Sequence, residues 1–316
     1  MEGRFPKDVE TLFLPASQIN AAAVRDADAL VIRTRTKCNE ELLKDSGVKL
    51  IVTATIGTDH IDIPWCKGAG VEVRNAPGCN APGVAQYVFA SLFKAGFDPR
   101  KHTLGIIGHG NVGSVVAMWA EKMKIKTIIT DSPKMEAGFQ DADYKTLDEV
   151  LKNSDAVTLH VPLTKTGLHP TFHMIGKREL DLMKNSSILI NSSRGGVVDE
   201  NELSGRPLSL VLDVWENEPD INPVLARSAF IATPHIAGYS AQGKMRASRM
   251  ALQALNDYLG IPVILSGLDC KKASDIEVSK EIIENSYDPL LDSKSLLNDI
   301  SKFEDLRNHY SFRNEP

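Results

Sequence analysis

The sequence predicts an α/β protein with two lobes, each built on a mostly parallel β-sheet. The chain has 316 residues, and this length suggests about two domains. Short apolar runs alternate with helical patterns along most of the chain, which is typical of βαβ units. The runs contain few polar residues, as expected for strands that helices cover on both faces.

The predicted strands are short runs rich in Val, Ile and Leu, and the predicted helices lie between them. The strand-like runs cover residues 10–14, 28–33, 49–54, 103–108, 126–130, 156–161, 186–191, 208–213 and 229–233. The clearest helical patterns cover residues 84–95, 111–123, 147–153 and 242–259.

The alternation of strand-like runs and helical patterns, and the point where it stops, predict the domain boundaries. We place the first lobe at residues 1–90, with residues 242–262 returning to it, and the second lobe at 91–241. Residues 263–316 are more polar and contain short helical patterns and a turn signal. We interpret them as a small appended element and not as more of the parallel sheet.

Composition excludes several classes of protein. The net charge is −5 and the Lys and Arg residues are scattered, which argues against nucleic acid or a membrane surface as the main partner. No apolar run approaches the roughly 18 residues of a membrane span, and the N-terminus has no signal-peptide pattern. The four cysteines show no metal-ligand spacing, so we expect reduced thiols, no metal and a cytoplasmic location.

A glycine-rich turn after the strand-like run 103–108 predicts a dinucleotide site. Gly108, Gly110 and Gly113 form a G-x-G-x-x-G pattern that opens a helix. These glycines allow a tight turn, close approach of a pyrophosphate and close packing of helix on strand. The helix N-terminus offers N–H groups to the phosphates. The predicted cofactor-binding residues of this loop are Gly108, Gly110, Asn111, Val112 and Gly113.

Asp131 indicates which dinucleotide binds. It ends the strand that follows the glycine-rich helix, where a carboxylate accepts hydrogen bonds from the adenosine ribose hydroxyls. The same charge would repel a 2′-phosphate. The sequence therefore predicts NAD and not NADP as the cofactor.

Three later segments end predicted strands and each carries a chemically useful side chain. They contribute Arg194, a carboxylate from residues 213–220, and His235. Ligands of an open α/β sheet bind beyond the carboxyl ends of its strands. Oxidation of a 2-hydroxy acid needs a base, a cation for the substrate carboxylate and an acid that supports the base. His235, Arg194 and one of the acids fit these three roles.

Four sequence segments resemble the D-isomer-specific 2-hydroxyacid dehydrogenases: GHGNVG, INSSRGGVVDE, LDVWENEP and TPHIAGY. The resemblance implies a Rossmann NAD-binding domain, a flavodoxin-like substrate domain and the catalytic residues Arg194, Glu218 and His235. It implies that Asp131, Val161, Asp213 and Gly238 line the cofactor, and that Thr34, Thr55 and Tyr239 contact the substrate. Glu216 and Asp220 are then expected to be solvated surface acids.

A closer resemblance concerns one branch of this family, which acts in vitamin B6 synthesis. It is carried by IRTRTKCNEELL, TATIGTDHID, NAPGCN and the tail YDPLLD…FEDLRNHY. It implies a phosphorylated 2-hydroxy acid as substrate, with oxidation of 4-phospho-D-erythronate to 2-oxo-3-hydroxy-4-phosphobutanoate by NAD. It also implies a homodimer held by the tail, a small α+β dimerisation element.

A phosphorylated substrate requires basic groups beyond Arg194. Arg33 and Arg35, at the end of the run 28–33, are the candidates in this chain. Arg307 and Arg313 are further candidates that a partner subunit would supply.

Some segments are shorter than the family pattern, and two other functions remain open. Compared with the family pattern, the N-terminal segment lacks the first strand of the substrate domain, the segment 199–208 leaves room for about one helical turn, and the tail is short. The first alternative is another D-2-hydroxyacid dehydrogenase, with a glycerate-like substrate. The second is a non-catalytic NAD-binding scaffold.

Overall fold

A computed structural model describes residues 3–316, and the chain divides into two compact units. Among the described residues, the first unit comprises 3–80 and 241–271, and the second comprises 81–240 and 272–316. The boundary predicted at residue 90 is wrong, because it falls inside a continuous helix, Ala81–Lys94. The tail from residue 272 belongs to the second unit and is not a separate element.

The regular elements are numbered here in chain order. The strands are β1 (Ala29–Ile32), β2 (Leu50–Thr53), β3 (Glu72–Arg74), β4 (Thr103–Ile107), β5 (Lys126–Thr130), β6 (Ala156–Leu159), β7 (Ile188–Asn191), β8 (Ser209–Leu212) and β9 (Ile231–Ala232). The helices are α1 (Ala21–Val24), α2 (Glu40–Leu43), α3 (Ile63–Gly68), α4 (Ala81–Lys94), α5 (Asn111–Lys122), α6 (Ser132–Glu136), α7 (Leu147–Asn153), α8 (Lys177–Leu182), α9 (Pro223–Ser228), α10 (Ala241–Leu259), α11 (Lys280–Ser286), α12 (Pro289–Asn298) and α13 (Phe303–Asn308). Short 3-10 turns cover Ala16–Gln18, Glu200–Glu202, Ala273–Asp275 and Ile300–Lys302.

The first unit contains a three-stranded parallel sheet in the order β1-β2-β3. All of β2 is buried, because α10 packs Ala251 and Leu255 against Leu50 and Val52 on one face. Ile51 packs with residues of α2 and α3 on the other face. With three strands and no reversal in their order, this sheet is smaller than the flavodoxin-like sheet that the resemblance implied.

In the first unit, one predicted strand does not form and one observed strand was not predicted. Residues 10–14 form no strand, and Leu12 and Phe13 are exposed. β3 was not predicted, since it is only three residues long and carries charge at both ends.

The second unit is a doubly wound fold around a six-stranded parallel sheet in the order β5-β4-β6-β7-β8-β9. One core cluster joins the sheet to α4 and α5, where Phe89 stacks on Trp119. A second cluster covers the other face with residues of α7, α8 and the tail. The Rossmann fold predicted for this part of the chain is confirmed.

The regular elements of the tail are all helices or 3-10 turns, and its one β-type contact is an isolated bridge between Arg313 and Ser240, so the α+β prediction for residues 263–316 is wrong. Leu296 of α12 and Phe303 of α13 are buried in the second core cluster. Burial of a Leu or Phe side chain contributes about 1.5–3 kcal/mol, which is enough to anchor these short helices. Among the described residues, none of the helices is both long and apolar enough to cross a membrane.

Candidate active site

The three predicted catalytic residues follow three neighbouring parallel strands. Arg194 follows β7, Glu218 follows β8 and His235 follows β9, and β7-β8-β9 are adjacent in the sheet. The carboxyl ends of parallel strands meet at one edge, so the fold brings these loops together.

Glu218 and His235 form a hydrogen-bonded pair. Oε2 of Glu218 lies 2.8 Å from Nδ1 of His235, and Oε1 accepts the backbone N–H of Trp215 at 3.0 Å. Burial raises the pKa of Glu218. The hydrogen bonds from His235 and Trp215 and the charges of His235 and Arg307 lower the pKa by a larger amount. The pKa of this carboxyl therefore lies below its ordinary value, and the group is an anion at neutral pH.

Asp213 holds the loop that carries His235. It is 1% exposed and accepts hydrogen bonds from the Thr233 hydroxyl at 2.6 Å and from the N–H groups of Ile236 and Ala237 at 2.8 and 2.9 Å. His235 itself has a φ of 57°, in the left-handed region. Asp213 thus fixes the backbone on both sides of the histidine, and its predicted contact with the cofactor stays a prediction.

Arg313 supports the same loop from the tail. Its guanidinium donates to the carbonyls of Ile236 (3.0 Å), Ala237 and Gly83 (2.9 Å), and to Oε1 of Gln86 at 3.0 Å. These contacts are all made within one chain and one unit. Arg313 therefore supports the loop of its own chain, and its contribution to a substrate phosphate from a partner subunit stays a prediction.

Arg194 lies in a loop packed tightly against the loop of Glu218. A side chain at Gly195 would overlap the carbonyl of Trp215 and come within 2.8 Å of the N–H of Glu216. Asn191 holds the loop by donating to the Arg194 carbonyl at 3.0 Å. Nη1 of Arg194 donates to the Ser193 carbonyl at 2.8 Å. Only glycine at 195 allows this approach of the two loops.

Glu216 is not the solvated acid that the sequence suggested. Its Oε1 lies 3.0 Å from Nε2 of His173 and accepts the N–H of Glu200 at 3.2 Å. Glu200 accepts the N–H of Glu216 in return at 2.8 Å, and Asp199 lies 3.5 Å from Nδ1 of His173. Asp220, in contrast, is exposed as predicted.

These residues form a network that the sequence reasoning missed. His173 lies 43 positions from Glu216, so no local pattern connects the two. Burial, together with the charges of Glu216 and Glu218, raises the pKa of Glu200 to about 7. His173, Asp199 and Glu216 place potential metal ligands within 4.8 Å of one another. However, the two imidazole nitrogens face different carboxylates, a geometry suited to hydrogen bonding.

The glycine-rich loop fits a dinucleotide. Gly108 has a φ of 90°, and a side chain there would lie 2.9 Å from Val161, which follows β6. A side chain at Gly113 would overlap the Gly108 carbonyl, whereas one at Gly110 meets nothing within 4 Å. Gly110 caps α5 without a side-chain hydrogen bond. The first N–H groups of α5, at Asn111 and Val112, are thus placed to receive phosphate.

Asp131 follows β5, beside this loop. Its Oδ2 accepts the N–H of His109 at 2.8 Å, and its Oδ1 accepts the N–H of Lys134 at 3.1 Å. Each carboxylate oxygen can accept a second hydrogen bond, so the predicted ribose contact is compatible with this geometry.

The residues predicted to bind substrate lie in both units. Arg33, Thr34 and Arg35 are exposed at the carboxyl end of β1, and Thr55 follows its neighbour β2. The Thr55 hydroxyl lies 2.6 Å from that of Thr53. Tyr239, beside Gly238 in the second unit, accepts a hydrogen bond from Nε of Arg307 at 3.3 Å.

A Rossmann sheet with a G-x-G-x-x-G loop, and a His–Glu pair on strand ends next to that of Arg194, are features expected of an NAD-dependent dehydrogenase of hydroxy acids. Residues 85–237 match the model of the D-isomer specific 2-hydroxyacid dehydrogenase NAD binding domain. The chain belongs to the D-isomer-specific 2-hydroxyacid dehydrogenase family, and its cofactor is NAD.

Among the curated relatives, two share one activity within this family. An erythronate-4-phosphate dehydrogenase of Bacteroides fragilis is 41% identical over 322 residues, covering 97% of this chain and 91% of that protein. The erythronate-4-phosphate dehydrogenase of an Escherichia coli strain is 42% identical over 260 residues, covering 79% of this chain and 68% of that protein.

Solved structures agree with the fold. D-lactate dehydrogenase from Aquifex aeolicus, complexed with NAD and lactic acid, is similar with a TM-score of 0.64 at 30% identity. The match covers 77% of this chain and 86% of that one. NAD-bound 3-phosphoglycerate dehydrogenase from Entamoeba histolytica gives a TM-score of 0.64 at 28% identity, over 76% of this chain and 82% of that one.

Proposed function

We propose that the protein oxidises 4-phospho-D-erythronate to 2-oxo-3-hydroxy-4-phosphobutanoate with NAD, a step of vitamin B6 synthesis. The observation that carries the proposal is the Glu218–His235 pair on strand ends next to that of Arg194. The substrate is taken from the curated relatives, which share about two residues in five with this chain.

In this proposal His235 is the base that removes the proton of the substrate 2-hydroxyl. The contact of Nδ1 with the Glu218 carboxylate favours the tautomer with the proton on Nδ1, which leaves Nε2 as the acceptor. Glu218 then stabilises the imidazolium that forms. Arg194 binds the substrate carboxylate and orients the carbon that loses hydride. NAD, when bound, supplies the hydride acceptor.

Arg33 or Arg35 binds the substrate phosphate in this proposal. Both side chains are exposed beside β1, and Arg33 lies close enough to Cys79 to affect its thiol electrostatically. Replacement of each by Met is expected to weaken oxidation of phosphorylated acids far more than that of unphosphorylated acids. Equal losses on both kinds of substrate would exclude the contact.

The proposed enzyme is a cytoplasmic homodimer. The support for a dimer is a set of exposed apolar side chains around β9, which forms one edge of the six-stranded sheet. Phe230 precedes β9, and Leu290 and Leu291 belong to α12. The Ser293 hydroxyl accepts the N–H of Ala232 at 3.0 Å, so α12 packs directly on β9. Exposed apolar side chains on the helix that covers this edge are typical of an interface.

The test is NADH formation at 340 nm with 4-phospho-D-erythronate, D-erythronate, D-glycerate and D-lactate. We expect 4-phospho-D-erythronate to give the highest kcat/KM. A preference for glycerate would instead identify another 2-hydroxyacid dehydrogenase, and NAD binding without turnover of any acid would identify a scaffold.

His235→Ala should abolish turnover while NAD still binds, and retained turnover would remove His235 from the proton-transfer role.

A further inference from the structure

Arg307, in the helical tail, lies against the candidate active site of its own chain. Its Nη1 is 3.6 Å from Oε2 of Glu218, the same oxygen that contacts His235. Its Nε donates to the hydroxyl of Tyr239 at 3.3 Å. One guanidinium therefore contacts the acid of the His–Glu pair and a residue predicted to bind substrate.

The tail holds Arg307 in this position through buried packing. Phe303, one turn earlier in α13, is 1% exposed in the second core cluster. The tail also fixes Tyr239, which stacks on Phe312 with ring centroids 5.5 Å apart and meets the edge of Tyr310 at 6.0 Å. The contact between Arg307 and the site is thus part of a packed structure.

The surroundings keep Arg307 charged. Burial lowers its pKa, but Tyr239, Glu218 and Glu304 raise it by more. The side chains of Arg307 and Glu218 are 21% and 18% exposed, so solvent screens their attraction only in part. A fixed cation at this distance favours the ionised form of Glu218, the form that can stabilise a protonated His235.

The hydrogen bond to Tyr239 has a second consequence. A phenol oxygen that accepts a hydrogen bond from an arginine keeps its own proton to donate elsewhere. Nε of Arg307 is such a donor, so the Tyr239 O–H is free to point toward a substrate acceptor.

We propose that Arg307 is a positioning residue of the dehydrogenase. It holds the Glu218 carboxylate in place for its hydrogen bond with His235, and it orients the Tyr239 hydroxyl. The tail is then a working part of the active site in the same chain. This inference rests on the proposed dehydrogenase function but not on the identity of the hydroxy acid, because Glu218 and His235 serve any such substrate.

The test compares Arg307→Gln, which removes the charge, and Arg307→Lys, which keeps it, with the control Lys302→Gln. Lys302 lies just before α13, is 62% exposed and pairs with Asp299 at 3.8 Å. We expect Arg307→Gln to lower kcat about 10²-fold, the usual scale for displaced catalytic groups. The kcat of Arg307→Lys should lie between those of Arg307→Gln and the native protein, and the kcat of Lys302→Gln should equal the native value. The affinity for NAD should stay within about twofold of the native value in all three variants.

A second readout needs no substrate. The carboxyl carbon of Glu218 is followed by NMR during a pH titration and is assigned by its loss in Glu218→Gln. The charged groups that face it are His235, Arg307 and Glu200. Removal of Arg307 is expected to move the Glu218 titration to higher pH, and Lys302→Gln should leave it unchanged.

An unchanged Glu218 titration in Arg307→Gln would overturn the proposal, and so would a native kcat with the preferred substrate. Failure of the proposed substrate has a different signature, since the unmodified protein would then not oxidise 4-phospho-D-erythronate. In that case the Glu218 titration still decides the role of Arg307.

Discussion

Glu218 is the residue on which the candidate chemistry depends most. Of the four acidic side chains in the segment 213–220, only that of Glu218 is bonded to the His235 imidazole, and the other three have different surroundings. Asp213 is buried under backbone donors, Glu216 is bonded to His173, and Asp220 is exposed. Four carboxylates within eight positions thus lie in four different environments.

The first prediction concerns the charge of Glu218. Glu218→Gln keeps the size of the side chain but cannot stabilise a protonated His235, so kcat should fall by about 10²–10⁴-fold. NAD affinity should not change. The measurement is steady-state NADH formation with parallel NAD titration, and Asp220→Asn is the matched control. Activity of Glu218→Gln close to that of the control would show that the pair is only structural.

Single residues show what sequence can and cannot reveal about the site. Arg194, Glu218 and His235 could be predicted as candidates because they occupy short contiguous motifs on strand ends. The bonds of Glu216 to His173 and of Arg313 to the 236–237 backbone join distant segments, and no spacing rule anticipates them. Arg307 was considered, but its contact with Glu218 depends on how the tail folds.

Among the elements, the apolar runs of the second unit predicted their strands well, because parallel strands buried on both faces need continuous apolar sequence. The run 10–14 also contains apolar residues but forms no strand, since apolar residues alone do not supply a hydrogen-bonding neighbour. The short helical patterns expected in the tail are confirmed by α11, α12 and α13, but the packing of Leu296 and Phe303 into the second core cluster depends on tertiary contacts that the sequence does not show.

The turn Glu200–Glu202 and the loop of Glu218 are coupled by two reciprocal hydrogen bonds between Glu200 and Glu216. The pKa of Glu200 is raised from 4.5 to about 7 in the folded chain. The folded state therefore holds this proton more tightly than the unfolded state does. As the pH rises from about 4.5 to about 7, Glu200 contributes a loss of stability.

The second prediction follows from this sign. Glu200→Gln can still accept the N–H of Glu216 but no longer ionises. Its free energy of unfolding relative to the native protein should therefore rise between pH 5 and pH 7 and then level off. Urea unfolding at several pH values measures this difference. Glu202→Gln, in the same turn, is the control, and a pH-independent difference for Glu200→Gln would contradict the assignment.

At the scale of the whole molecule, the tail contributes to both the core and the surface of the second unit. Leu296 and Phe303 are buried in the second core cluster, and Arg307 and Arg313 reach the loops around His235. On the surface, α12 has an exposed face with Leu290 and Leu291 beside the edge strand β9.

The third prediction is that the exposed face holds a dimer together. Leu291 is 66% exposed, and Leu291→Asp should convert the dimer to a monomer, because a charge in an apolar interface is left without a partner. Light scattering after size-exclusion chromatography measures the mass. Leu168→Asp, at a side chain 82% exposed elsewhere in the second unit, is the control. A native protein that is monomeric at micromolar concentration would rule out this interface.

The buried carboxylate of Asp213 has a consequence for the exchange of backbone hydrogens with solvent. The amides of Ile236 and Ala237 belong to a loop, and loop amides ordinarily exchange fast through local opening. Here both are bonded to Asp213, and Arg313 holds the carbonyls of the same two residues. In deuterium oxide these two amides should retain their protons as long as those of β7 and β8, so that the segment next to His235 opens only when the sheet itself unfolds.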